Sequence, residues 1–135
     1  MKDRLIEFET AKLAKEKGFD IPTIKAYKDY GKCSIKSVPV FPMEMLNYNN
    51  INTNYWNISA PTQSLLQRWL REKHNIHIPV NWVYKKSYDT DVDWYYNVKG
   101  IGLISNNLID LDETKFNTYE DALEKGLQEA LKLIK

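Results

Sequence analysis

The chain has 135 residues, 43% of them apolar and 27% charged, and its nineteen Lys and Arg nearly cancel eighteen Asp and Glu to leave a net charge of +1. These proportions predict a single domain, residues 1–135, with a real core, while seventeen aromatics exclude a disordered chain. No apolar run approaches the ~18 residues of a spanning helix, no apolar signal core follows Met1-Lys2-Asp3-Arg4, and the single Cys33 excludes an intramolecular disulfide, so a reducing, cytoplasmic setting is expected.

The first element is a short helix over 6–17, with Ile6, Thr10, Leu13, Ala14 and the Lys17 stem at helical spacing. Gly18 stands where a left-handed C-terminal stop is wanted, and Phe19 is placed to fold back on the helix end. Residues 24–27 and 34–38 alternate weakly around the turn-forming Asp29-Tyr30-Gly31-Lys32, which predicts a small hairpin. Pro39 and Pro42 end strand pairing there. Six of the eleven residues from Asn47 to Asn57 are Asn, with Tyr48, Tyr55 and Trp56 among them. Asn favours turns, so a long surface loop with aromatic anchors is expected near 43–58.

Residues 61–74 form the clearest helix, with Pro61 in its first turn and Ser59 or Thr62 as its cap. Leu65, Leu66, Trp69 and Leu70 make the apolar arc, and Gln63, Gln67, Arg71 and His74 face away. Arg68 and Glu72 are spaced to pair, and Asn75 stops the helix. A strong antiparallel hairpin follows near 76–105, turning at Asp89-Thr90-Asp91. Pro79 makes its first strand start late, bulge or lie at an edge, and Gly100 and Gly102 mark a bulge or bend. The last helix starts at Thr118, capped by it with Asp121 three residues on. Leu123, Leu127, Ala130, Leu131 and Ile134 form its apolar face, and Gly126 at the edge of that face implies close backbone packing. The fold class is α+β, about three helices packed on a small antiparallel sheet. Its expected core is Leu13, Leu65, Leu66, Trp69, Leu70, Ile78, Val98, Leu103, Leu123, Leu127 and Leu131.

No catalytic, cofactor or metal motif stands out, so an enzyme is not expected. His74 and His77 straddle a helix end and a strand, and His74 is better placed as a contact with the helix dipole. Asp89, Asp91 and Asp93 match the first three ligands of a calcium loop, but Trp94 replaces its glycine and Gly100 its bidentate Glu. Cys33 reads as a small buried hydrophobe, and Gly100-Ile101-Gly102 is too short for a phosphate loop.

Charge segregates along the chain. From Ala60 to Tyr88 five cations meet one anion, whereas from Asn107 to Glu124 six anions meet one cation. Arg71, Lys85 and Lys86 suit phosphate contacts, and Tyr84, Tyr88 and Trp94 suit base stacking beside them. That surface defines a nucleic-acid-binding alternative, which a near-zero net charge disfavours. Tyr, Trp and Arg are also the residues of protein-binding hot spots, and the acidic and basic parts suit head-to-tail pairing of copies. A protein partner or a homo-oligomer is therefore the first expectation, with nucleic acid second and a membrane excluded.

The segment Ser59-Ala-Pro-Thr-Gln-Ser-Leu-Leu-Gln-Arg-Trp-Leu-Arg-Glu-Lys-His-Asn-Ile-His-Ile78 resembles part of small hypothetical proteins of bacteriophages and mobile elements of anaerobic gut bacteria. Residues 11–20 and 119–134 are similar to the same group, so that the resemblance spans about a third of the chain. It implies a setting in which small proteins act by binding a host or phage macromolecule, and it carries over no catalytic residues.

Overall fold

The computed structural model describes residues 3–28, 45–50, 57–85, 91–100 and 115–134. Among them are three helices and six short strands: α1 (Phe8–Glu16), β1 (Ala26–Tyr27), β2 (Ile58–Ser59), α2 (Gln63–His74), β3 (Ile76–His77), β4 (Val80–Tyr84), β5 (Val92–Tyr96), β6 (Lys99–Gly100) and α3 (Tyr119–Lys132). The fold is α+β, and every strand pair is antiparallel. The chain forms two compact units whose boundary falls inside α2, one up to Leu66 and the other from Gln67.

In the first unit, α1 ends as its sequence demands. Gly18 takes φ +88°, its N–H donates to the Lys15 carbonyl, and the Phe19 N–H donates to that of Ala14. Two carbonyls left over at the helix end are thereby satisfied, and Phe19 is carried back into the core at 1% exposure. Ile6, Thr10, Ala11 and Ala14 are buried with it, whereas Leu13 is half-buried. The Tyr27 hydroxyl donates to the Ile6 carbonyl at 2.9 Å, and its ring meets Phe8 edge-on.

The weak hairpin expected over 24–27 and 34–38 falls partly outside the described residues, and among those described its first strand has a distant partner. β1 pairs with β2, Ala26 opposite Ser59 and Tyr27 opposite Ile58, while residues 34–38 lie outside the described residues. All four paired residues are buried, so burial rather than alternation selects this pairing. Within the Asn-rich loop, Asn49 ties the chain together. Its Nδ2 donates to the Phe19 carbonyl at 2.8 Å, and its Oδ1 accepts from the Ser59 N–H at 2.9 Å. Tyr48 is buried as an anchor, Ile58 already belongs to β2, and residues 51–56, including Tyr55 and Trp56, lie outside the described residues.

Thr62 caps α2, its Oγ1 accepting from the Leu65 N–H at 3.3 Å. Pro61 therefore precedes the cap rather than occupying the first turn. The Ser64 hydroxyl donates to the Asp3 carboxylate, which stands at the positive end of the helix dipole. Gln63 is buried at 2% exposure, not turned away, because its N–H donates to the Arg4 carbonyl and draws the helix start inward. Leu66, Trp69 and Leu70 are buried as expected, and Leu65 is half-buried. Asn75 ends α2 at φ +53°, a left-handed conformation that Asn tolerates.

The second unit is built on one hairpin and α3. Ile76 lies opposite Gly100, Val80 opposite Tyr96 and Tyr84 opposite Val92. The offset is the same in all three pairs, so no residue is inserted and Gly100 marks no bulge. Pro79 interrupts the ladder instead: it has no N–H to donate, but its carbonyl accepts from Asn97 at 3.0 Å. Val98 is half-buried, and residues 101–105, including Leu103 and Gly102, lie outside the described residues.

Thr118 caps α3, accepting from the Asp121 N–H at 3.1 Å. Leu123, Leu127, Ala130 and Leu131 are buried, together with Ala122, Glu124 and Gly126. A Cβ at Gly126 would stand 2.7 Å from Ile78 Cγ2 and 3.2 Å from the Tyr96 ring, so glycine there permits the close approach of helix to hairpin. Burial first, and the Glu129 carboxylate second, push the Tyr96 phenol above its usual pKa.

Candidate functional site

Two surfaces of the second unit concentrate chemistry. The first is β4. Val80, Asn81, Trp82, Val83 and Tyr84 carry no charge and, with Pro79 before them, contain no interior proline. β5 lies between β4 and Phe116, whose N–H and carbonyl both bond Trp94 at 2.8 Å, so among the described residues the open side of this ladder is β4's. Trp82, Val83 and Tyr84 are 48%, 37% and 57% exposed. Large apolar side chains on an open edge strand are what natural sheets usually avoid with lysines, prolines or bulges. Here such devices stand at the two ends, Pro79 and Lys85. The Trp82 and Tyr84 rings meet edge-on at 5.0 Å, which holds them as one aromatic ridge.

The second surface is a cavity of about 490 Å³ lined by Gln67, Arg71, Ile76, His77, Ile78, Pro79 and Lys99. α2 supplies Gln67 and Arg71, four residues apart on one helix face. The Gln67 Nε2 donates to the Ile78 carbonyl at 3.1 Å, fixing the helix over the strand. His77 and Lys99 are directly opposed across β3 and β6, so their side chains leave the same face of the ribbon. Ile76 and Ile78 are buried and form the apolar floor.

Among the described residues, Arg71 stands apart from Tyr84, Lys85 and Trp94, the other sequence-proposed nucleic-acid residues. Arg71 is exposed on α2 and lines the cavity. Lys85 sits eight residues beyond His77 along the hairpin, about 26 Å away at ~3.3 Å per residue. Its ammonium faces Asp93 at 3.9 Å, which offsets its charge. Tyr84 is exposed, whereas Trp94 is half-buried and packs edge-on to Tyr119 at 5.7 Å. Lys86 and Tyr88 lie outside the described residues, as do Cys33 and Asp89. The Arg68–Glu72 pair forms as spaced, at 3.0 Å and well exposed, where it contributes a few tenths of a kcal/mol.

His74 departs from its expected role. Its ring packs edge-on to Trp69 at 4.7 Å, and its buried Nε2 has no hydrogen-bond partner among the described residues. Burial, and then the neighbouring Lys73 ammonium, lower its pKa, so the neutral ring is favoured over the cation that would complement the helix dipole. His77 bonds the Asn75 side chain at 3.3 Å.

His77, Lys99 and Gln67 are the site residues that sequence reasoning missed. His77 carried a signal as half of the His-Asn-Ile-His segment, but Lys99 reaches it through a pairing across more than twenty residues. Comparisons with protein-family models, curated proteins and solved structures find no match. Among the described residues no helix is long and apolar enough to cross a membrane.

Proposed function

We propose that the protein is a non-catalytic self-association module that joins two copies through β4. The observation that carries this is an uncharged strand, unpaired on its outer edge among the described residues, with Trp82, Val83 and Tyr84 exposed. Strand addition at such an edge draws affinity from main-chain hydrogen bonds and specificity from alternate side chains. A second copy suits the strand's own pattern. Antiparallel pairing centred on Trp82 sets that residue against its counterpart and Val80 against Tyr84, and brings no like charges together within the strand. Five residues make a small interface, so association is weak and depends on concentration. A phage or mobile-element origin and a bacterial cytoplasm belong to the same proposal and rest on the resemblance of residues 59–78.

The test is the solution mass by size exclusion with light scattering over a range of concentrations. Wild-type protein is expected to shift from monomer to dimer, and Trp82→Lys with Tyr84→Lys to remain monomeric. A wild-type chain that stays monomeric throughout overturns self-association. Retention of a different protein or of nucleic acid by the same edge, lost in that variant, would replace the second copy with that partner.

A further inference from the structure

The geometry points to a binding site for a small phosphomonoester with an apolar body in the cavity between the end of α2 and the base of the hairpin. Three groups able to carry positive charge, Arg71, His77 and Lys99, line it together with the Gln67 amide, and no carboxylate is among the lining residues. Among the described residues neither Arg71 nor Lys99 forms an ion pair. Lys99 stands directly across from His77, so an ammonium and an imidazole, both able to hydrogen-bond an anion's oxygens, leave the same face of the ribbon.

Charge and shape narrow the ligand class. A phosphomonoester carries roughly −1.5 to −2 charges near neutrality and three strong acceptor oxygens. Arg71 can meet two of those oxygens with its planar fork, and Lys99 provides a point charge on the facing strand. The floor is Ile76, Ile78 and Pro79, so the rest of the ligand gains most if it is apolar. A volume of about 490 Å³ lies within the range of small-molecule sites. The cavity is lined entirely by residues of the second unit and includes none from β4, so this site stands apart from the association edge.

Isothermal titration with phenyl phosphate, inorganic phosphate and benzoate tests the assignment. Phenyl phosphate should bind one per chain, about tenfold tighter than either other probe. Arg71→Gln and Lys99→Gln should each weaken it by about tenfold or more. Lys73→Gln, on the same helical turn but outside the cavity, should leave it unchanged, as should Trp82→Thr on β4. Should a Gln variant fail to fold by circular dichroism, a saturable rise in the wild-type melting temperature with phenyl phosphate, absent with benzoate, supports the site in its place. Equal weakening by all three charge variants would show a diffuse basic surface and overturn the proposal. So would benzoate binding as tightly as phenyl phosphate, or no saturable binding. A single-stranded oligonucleotide that displaces phenyl phosphate with a steep salt dependence would assign the cleft to a nucleic-acid strand and also overturn it.

Discussion

The two ends of one hairpin meet opposite fates. At its base, Ile76, Ile78 and Tyr96 are at most 5% exposed, and Ile78 and Tyr96 stand against the backbone of α3 at Gly126. Toward its tip, Trp82 and Tyr84 stand half in solvent although they belong to the same register and are no less apolar. The difference lies in reach rather than composition. Helix α3 begins at Tyr119, whose ring covers Trp94, and the strands run on beyond it. A hairpin longer than the helix that covers it has one end in the core and the other available to a partner.

The largest expected effect comes from forcing the base apart. Gly126→Val places branched carbon where a single Cβ already comes within 2.7 Å of the Ile78 methyl, in a site walled by a buried aromatic ring. Overpacking of this kind costs about 2–3 kcal/mol. Thermal denaturation should show a fall of several degrees. Gly126→Ala sharpens the measurement. Alanine gains about 1 kcal/mol of helix propensity, so a net loss shows that contact outweighs propensity, and a net gain would show that the base is looser than the distances indicate.

A smaller effect is expected where α3 begins. Thr118→Ala removes the acceptor for the Asp121 N–H, at a cost of about 1 kcal/mol. The first turn of α3 carries Tyr119 against Trp94, so fraying it exposes more of the hairpin toward its tip and leaves Gly126, nearly two turns further on, in place. Hydrogen exchange should rise at 119–122 and at β5 near Trp94, with little change near Tyr96. A uniform rise along the hairpin would break the division into two ends. Smaller still is Trp82→Thr, which should cost less than about 1 kcal/mol because the ring is half exposed and its losses are the Tyr84 and cross-strand contacts.

What the sequence revealed followed from local chemistry. Gly18 with Phe19, Thr118 with Asp121, Asn75 and the Arg68–Glu72 spacing each act within about four residues, and each stands as read. Gly126 was legible as a close approach because a helix interior otherwise disfavours glycine, although its contacts were not. What stayed hidden was pairing over distance. Ala26 and Tyr27 look like the start of a local hairpin, yet they pair with Ile58 and Ser59, which lie beyond the Asn-rich loop. Gln63 looks like a surface residue because polarity alone does not reveal that Arg4 crosses the helix start. The basic candidates were grouped by charge along the chain, whereas an extended ribbon separates Arg71 from Lys85 and brings Lys99 beside His77.

The finest distinction concerns His74, at the end of α2 that leads into the hairpin's base. Its neutral ring is favoured because burial, and then Lys73, make the folded state a poorer host for the extra proton than the unfolded chain. A base with a lowered folded pKa contributes its full stability above the unfolded pKa of about 6.5 and loses it as pH falls from there through the folded value. The melting temperature should therefore drop between neutral pH and pH ~5 by more in the wild type than in His74→Gln, which lacks the titrating ring. Packing against Trp69 confines that loss to the α2 end, so hydrogen-exchange protection, corrected for the intrinsic rate at each pH, should fall with acid at 69–76 while that of β4 is unchanged. Equal pH profiles for the two proteins would mean that the imidazolium finds compensation in the fold, and the covered end of the hairpin would then be more accessible to solvent than its distances imply.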